Sequence, residues 1–432
     1  MNNGNKYKGV KRELFTVQDE FKKYVTTLKY QPFVIGQKYK FKERFSYSLH
    51  RVPIGMSYNF PEFINFKKSK RLMFIGSTGS GKTFFMSGLI DRLLASGAVG
   101  FIADLKGEYT YKHLMLQPHF HQFLMKGEEP TGFNIKVYYP YFMAKITGKS
   151  RQKHEHYIQF GLKDITKFDF LTLVPHAKEQ NIKPFIDNLW ISVMNETITS
   201  FEEMIDYIDD SEDLHHSSKR ILKYTIQSLL NTGVLGDKYE RPTVVKDLNE
   251  GYTVILNLKG ITRFADVDNP ASAYLAIMIR DIYNSKVMGK LDRSKHHFIS
   301  IDEINKFCPR SGNSSSKKEI LKIYDLSRSE RISLLSSTQD YTRVPQTLIY
   351  QSNYIFLAHN TSLNDSAEII KSSLPEEYDV PQTFKAKVGS IFSGMGVHKD
   401  GSRDWLMIDK ISKTYKTITP LAPLSYIMEE VD

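Results

Sequence analysis

The sequence predicts an α/β fold: a mostly parallel sheet covered by helices on both faces, with a helical insertion and a basic amino-terminal extension. Three observations predict it. Short apolar runs of strand length alternate with stretches of helical spacing. A glycine-rich loop, Gly76-Ser77-Thr78-Gly79-Ser80-Gly81-Lys82-Thr83, stands between one such run and one such helix. The excess of positive charge is confined to one end: residues 1–71 hold 16 Lys and Arg against 5 Asp and Glu, which equals the +11 of the whole chain.

The elements follow in order. Residues 1–70 form the basic extension, a possible reduced barrel or hairpin, with a helix expected around 16–28 and strand-like pieces near 33–48. Tyr39, Phe41, Phe45 and Tyr47 interleave its charges. Basic residues mixed with aromatics suit a nucleic-acid surface, through phosphate neutralisation and base stacking. A solvated arm carrying a β-hairpin is the other reading. A core spans 71–395. Residues 72–76 (Leu-Met-Phe-Ile-Gly) read as a buried strand, and 82–95 as a helix with Leu89, Ile90, Leu93 and Leu94 on its apolar face. Strands are predicted at 98–104 and 135–139. An insertion over about 141–245 is helical from 165 to 234, with a solvated acidic patch at 202–213. Strands return at 252–258, 297–301, 332–337 and 353–358, with a helix over about 270–288. Residues 396–432 are left as a tail.

Composition excludes several classes. The single cysteine, Cys308, rules out an internal disulfide framework and a Cys-rich zinc site. No run approaches the roughly 18 apolar residues a membrane span needs. No apolar signal-peptide core follows the polar, basic start. A soluble, intracellular protein is expected, with no membrane partner.

The chemistry centres on residues 76–83, which match the full G-x-x-x-x-G-K-[ST] pattern. The glycines let the backbone curl so that its N–H groups face phosphate oxygens, and the following helix points its positive end at the same place. Lys82 would reach the β- and γ-phosphates of ATP, and the Thr83 hydroxyl would sit on Mg²⁺. A P-loop needs an acidic partner at the end of a neighbouring strand. His297-Phe298-Ile299-Ser300-Ile301 leads into Asp302-Glu303. Asp302 would hold the Mg²⁺ shell through water, and Glu303 would polarise the attacking water as general base. The pairs His119/His121 and His154/His156 read as surface histidines rather than metal ligands. Residues 310–318 read as a basic, flexible loop, either facing a channel or simply exposed.

Taken together, these segments resemble the HerA/FtsK class of P-loop ATPases, hexameric DNA-pumping motors built on a RecA-like P-loop NTPase core. Asp302-Glu303-Ile304-Asn305-Lys306-Phe307 looks like that class's Walker B region. Asp104-Leu105-Lys106-Gly107-Glu108-Tyr109, the strand ending Asn-Leu-Lys-Gly at 257–260, and Ser337-Thr338-Gln339 match further motifs in the right order over roughly residues 70–395. The resemblance implies that Gln339 senses the γ-phosphate or orients the water. It implies that Arg328, eleven residues earlier, reaches into the next subunit's site, with Arg331 as its competitor. Asp104 and Glu108 would lie near the nucleotide or the subunit interface. The chain departs from the class in having only about 75 residues before the P-loop, too few for the full HerA barrel, and no winged-helix pattern is visible in residues 396–432. A ring-forming, ATP-dependent double-stranded-DNA translocase or helicase is expected, cytoplasmic or associated with a viral assembly. Its partner would be a nuclease, a capsid or a transfer complex. The alternative is an ATP-dependent protein remodeller, or a nucleotide-gated switch, without a DNA track.

Overall fold

The computed structural model describes residues 45–58, 60–141, 154–236, 241–259, 270–373, 388–398 and 402–427, apart from the side chains at 327–329 and 363. The expected helix at 16–28, the strand-like pieces up to residue 44, and Tyr39 and Phe41 lie outside these residues.

The described strands are β1 (Val52–Ser57), β2 (Phe60–Ile64), β3 (Arg71–Ile75), β4 (Val99–Asp104), β5 (Ile135–Pro140), β6 (Glu155–Ile158), β7 (Thr253–Asn257), β8 (His297–Ile301), β9 (Ile332–Thr338), β10 (Tyr354–Ala358), β11 (Trp405–Asp409) and β12 (Thr414–Pro420). They form one sheet in the order β2-β1-β12-β11-β10-β3-β9-β8-β4-β7-β5-β6. From β10 to β6 every pairing is parallel. From β10 back to β2 every pairing is antiparallel. The described helices are α1 (Lys82–Ala95), α2 (Lys167–Leu173), α3 (Lys183–Met194), α4 (Phe201–Asp210), α5 (His216–Thr232), α6 (Val244–Glu250), α7 (Pro270–Val287), α8 (Ile304–Phe307), α9 (Ser315–Glu330), α10 (Gln346–Gln351) and α11 (Leu363–Ser373).

The parallel half is a mostly parallel α/β sheet, as expected, and the pleat shows why. In β3, Leu72 and Phe74 point to one face, where they meet Phe85, Met86, Leu89, Ile90 and Leu93 of α1. Met73 and Ile75 point to the other, larger core, shared with α7 and with helices α2 to α6. A strand buried on both faces reads as a continuous apolar run rather than an alternation. Glu155–Ile158 also form β6, which extends the sheet beyond β5.

The antiparallel half differs from expectation. Residues 405–420, left as tail, are two strands of the sheet. Trp405 secures them: its ring lies 5.3 Å from Phe85 and 6.5 Å from Phe74, and Phe74 stacks on Phe356 at 4.7 Å. One aromatic cluster thus ties α1, β3, β10 and β11. The basic loop expected at 310–318 is shorter than predicted, because residues 315–318 open α9. Ser314 and Ser316 are buried there and donate to the Phe307 carbonyl at 2.9 and 2.6 Å. His119 and His121 lie on a 3₁₀ turn (Pro118–Phe123), not a strand. No cluster of His, Cys, Asp and Glu among the described residues could hold a metal ion. Among the same residues no helix is long and apolar enough to cross a membrane. Cys308 is buried, which pushes its thiol up to about 12.

The start of β8 makes the fold acid-sensitive. His296 pairs through Nε2 with Ser333 Oγ at 2.9 Å, and His297 Nδ1 lies 3.0 Å from Lys286 Nζ. Burial, reinforced by the Lys286 charge, depresses the two imidazoles to about 4 and about 3. Their folded-state pKa values lie below the ordinary 6.5, so the unfolded chain binds the protons first. The stability they contribute is present above about pH 6.5 and is lost as pH falls toward 4, at up to about 1.4 kcal/mol per pH unit for each group. Urea unfolding between pH 7 and pH 5 should therefore show falling stability, with a shallower slope in His297→Asn and in His296→Gln. The slope is the readout, and one unchanged by both substitutions would refute the assignment.

Candidate functional site

The parallel strands set the geometry. β9 lies between β3 and β8, with Ile75 level with Thr338 and Ile301 level with Ser336. The chain therefore leaves three neighbouring strands at nearly one height, as the P-loop, as Gln339 and as Asp302-Glu303. At about 4.8 Å per strand, the P-loop strand and the acidic strand stand roughly 10 Å apart, with Gln339 between them.

The loop itself is shaped by its glycines. Gly81 has φ +88°, a left-handed conformation that costs glycine little. A Cβ on Gly76 would fall 2.5 Å from the Ala358 Cβ and 2.7 Å from Ser80 Oγ, so the loop can lie against β10 only with glycine there. The first turn of α1 carries no acidic residue, which leaves its positive end facing the loop. Lys82 is buried and folded back, donating to the carbonyls of Gly76 at 2.6 Å and Ser77 at 3.0 Å. Burial lowers its pKa, against the pull of Glu303 and Asp302. Phosphate oxygens would replace those carbonyls as acceptors.

The acidic side is tightly built. Asp302 Oδ1 accepts from the Glu303 N–H at 3.0 Å and from the Ser337 hydroxyl. Its Oδ2 is buried with no hydrogen-bond partner among the described residues, and burial raises its pKa. Glu303 has φ +50°, a left-handed conformation unusual for a residue with a side chain. Its Oε1 accepts from Gln339 Nε2 at 2.6 Å and lies 3.4 Å from Lys106 Nζ. Gln339 Oε1 in turn accepts from Thr78 Oγ1 at 3.0 Å. The amide thus bridges the P-loop to the acidic strand, donating at one end and accepting at the other. Thr83 Oγ1 donates to Glu108 Oε2 at 2.9 Å. Burial works against the Lys106 charge, but Asp302, Glu108 and Glu303 outweigh it and hold its pKa above the ordinary lysine value.

Asp104 ends β4 fully buried. It accepts from the N–H groups of Gly107 (2.7 Å), Glu108 (3.0 Å) and Tyr109 (2.9 Å), and so holds the turn that presents Lys106 and Glu108. Arg331 is exposed at the amino-terminal end of β9, with φ +55°. That is the far end of the strand from Gln339, so it cannot reach the P-loop of the same chain. Arg328 lies on α9, and its side chain is outside the described ones.

A cavity of about 460 Å³ opens at the loop. It is lined by Thr78–Thr83, Lys106 and Glu108, and also by Arg403, Trp405, Pro423 and Tyr426. The sequence reading missed this last group. The apolar run Trp-Leu-Met-Ile at 405–408 was the available signal of a strand there. The donor set fits a magnesium–nucleotide complex: a hydroxyl at Thr83, an unpartnered buried carboxylate oxygen at Asp302, and a lysine held only by carbonyls.

A P-loop, an acidic strand two places away and a polar strand end between them define a P-loop ATPase. The chain belongs to the HerA family: the family described as Helicase HerA, central domain, matches residues 63–279. It is of the HerA/FtsK type expected from the sequence. No curated protein matches the chain. Among solved structures it is similar to VirB4 of Thermoanaerobacter pseudethanolicus (12% identity, TM-score 0.52, 88% of this chain and 98% of that one). It is also similar to the bacterial conjugative coupling protein TrwBdeltaN70 in its trigonal form with sulphate (11%, 0.50, 92% and 98%). The genome packaging NTPase B204 from Sulfolobus turreted icosahedral virus 2, in complex with ATP-gammaS, aligns at 11% identity and TM-score 0.37 over 82% and 98%. These likenesses concern the fold alone. The HerA match ends at 279, so Asp302, Glu303 and Gln339 rest on geometry.

Burial of Asp104 makes a prediction. Desolvation outweighs its three backbone hydrogen bonds and raises the carboxyl from 3.8 to about 7. The stability it contributes is present in full below about pH 4 and is lost as pH rises through about 7. Compared with wild type, Asp104→Asn should gain on the order of 1–3 kcal/mol in relative stability between pH 5 and pH 8. Denaturant unfolding at the two pH values measures it, and a constant difference would refute it.

Proposed function

We propose that this chain is the motor subunit of a ring, hexameric by the class it belongs to, that hydrolyses ATP at subunit interfaces and translocates double-stranded DNA. The observation that carries the reading is the Thr78–Gln339–Glu303 bridge, which couples the phosphate loop to the acidic strand within a HerA-family core.

In this reading Lys82 releases the Gly76 and Ser77 carbonyls to hold the β- and γ-phosphates. Magnesium, when bound, neutralises charge on those phosphates, and Thr83 and Asp302, the latter through water, would hold it. Glu303 takes a proton from the attacking water, with the Lys106 ammonium 3.4 Å from its carboxylate. The Gln339 amide holds the water and registers the γ-phosphate through Thr78. Arg328 of a neighbouring subunit neutralises charge in the transition state, and a guanidinium suits that role. Support for a polyanionic track comes from the opposite end of the sheet. There Lys67, Arg293, Lys295 and Arg331 line one basic pocket.

The test is ATP turnover with and without double-stranded DNA, beside native mass spectrometry for the ring. Duplex DNA should stimulate turnover, with affinity falling steeply as salt rises. Lys82→Ala should lose nucleotide binding. Glu303→Gln should keep binding and lose about 10²–10⁴-fold in turnover. Arg328→Ala should also bind ATP and turn over at least about 10³-fold more slowly. Turnover indifferent to DNA, with no ring at any concentration, would sink the translocase reading and favour a protein remodeller. Tight binding with very slow single turnover would favour a switch.

A further inference from the structure

The cavity at the P-loop has two kinds of wall. One is the phosphate loop with Lys106, Glu108 and Arg403. The other is apolar and aromatic: Phe84, Phe120, Phe123, Pro423, Tyr426 and Ile427. Four of these, Phe84, Phe120, Phe123 and Ile427, pack on a single small cluster formed by Leu116, Leu124, Ala422 and Leu424. The second wall therefore depends on residues 421–427, a strap that lies across α1.

The strap is fastened by buried charge. Asp91 Oδ2, on α1, accepts from the N–H groups of Leu424 and Ser425, both at 2.9 Å, and from Ser425 Oγ at 2.7 Å. Lys112 pairs with Asp91 Oδ1 and donates to Ser425 Oγ at 3.2 Å. Arg92 donates to the Ala422 carbonyl at 2.8 Å and makes a bidentate pair with Glu128. The contact with α1 is direct, since a Cβ on Gly88 would lie 2.5 Å from the Leu421 carbonyl oxygen. On the far side Gln117 clamps Ile427, accepting from its N–H at 3.0 Å and donating to its carbonyl at 2.6 Å. A segment held this firmly beside the P-loop presents a fixed aromatic surface.

We propose that residues 421–427 form, in the same subunit, the base-side wall of the nucleotide site. A purine ring packs on Tyr426 and Phe123 while the triphosphate occupies the P-loop. The proposal deepens the nucleotide reading above and rests on it. A triphosphate group accounts for the polar wall only; the aromatic wall calls for a flat apolar group on the same ligand, and stacking on an aromatic side chain is how proteins hold a base without reading its edge. The half-buried Tyr426 ring is itself positioned, 5.8 Å from Tyr111, edge to face.

The experiment is calorimetric titration with magnesium-ATP and, separately, with magnesium tripolyphosphate, on wild type, Tyr426→Ala and Tyr426→Phe. Wild type should bind ATP more tightly than tripolyphosphate. Tyr426→Ala should lose at least about fivefold in ATP affinity, the low end of base stacking, with tripolyphosphate affinity unchanged. Tyr426→Phe should keep wild-type ATP affinity, because the ring and not the hydroxyl acts. Phe123→Leu, at another residue of the same apolar wall, gives the same comparison should Tyr426→Ala not fold. Equal ATP affinity in wild type and Tyr426→Ala, or loss of both ligands together, overturns the base-side wall while leaving the P-loop reading intact. Failure of wild type to bind either ligand overturns both.

Discussion

The site depends on one constraint, the level parallel register of β3, β9 and β8. Ile75 pairs with Thr338, and the Gly76 N–H donates to the Thr338 carbonyl at 3.2 Å. Ile301 stands level with Ser336, and Ser337 reaches across to Asp302. The loop, the glutamine and the acidic pair thus leave the sheet side by side. A slip of one residue in β9 would turn every one of its side chains to the opposite face. It would take Ser337 away from Asp302 and Gln339 away from Glu303 and Thr78 together. Burial on both faces guards against that slip, since every residue of β9 is buried.

Burial also explains what was legible in the sequence. The seven strands expected from apolar runs are β3, β4, β5, β7, β8, β9 and β10, all in the parallel half. Most carry apolar residues to both faces, and such runs stand out without any partner being known. β6 and β12 are half exposed along most of their length. The Thr-Tyr-Lys-Thr-Ile-Thr-Pro of β12 has no apolar run to find. β1 and β2 begin in a segment whose charge drew the reading toward nucleic acid and away from the sheet.

The site divides in the same way. The P-loop and Asp302-Glu303 were legible because each is a local pattern whose chemistry follows from adjacent residues, whereas Gln339 was reached only through the resemblance to a known family. Arg403, Tyr426 and the strap were not legible, because they meet the loop only through contacts more than 300 residues distant in sequence, such as Leu424 to Asp91. The strap also covers Asp91 and Arg92 of α1. Two charges in the middle of an amphipathic helix ordinarily mark its solvated face. Here they are 0% and 1% exposed.

Why a strap should be fastened by buried charge rather than by apolar packing follows from what each interaction specifies. Replacing a buried ion pair with apolar side chains of like volume is often neutral or stabilising, so such pairs are weak evidence of stability. Apolar contact, however, is non-directional, and a strap held by it alone could settle a residue to either side. Asp91 admits one arrangement: Oδ2 takes three donors from Leu424 and Ser425, and Oδ1 takes Lys112, which itself reaches Ser425. Moving the strap by one residue would strand a carboxylate and an ammonium in a site sealed from water, at a cost of several kcal/mol. The same helix carries Lys82 and Thr83 at its other end. The charges that fix the strap therefore also fix the distance between the phosphate loop and Tyr426, and α1 serves as the ruler between the two walls of the nucleotide cavity.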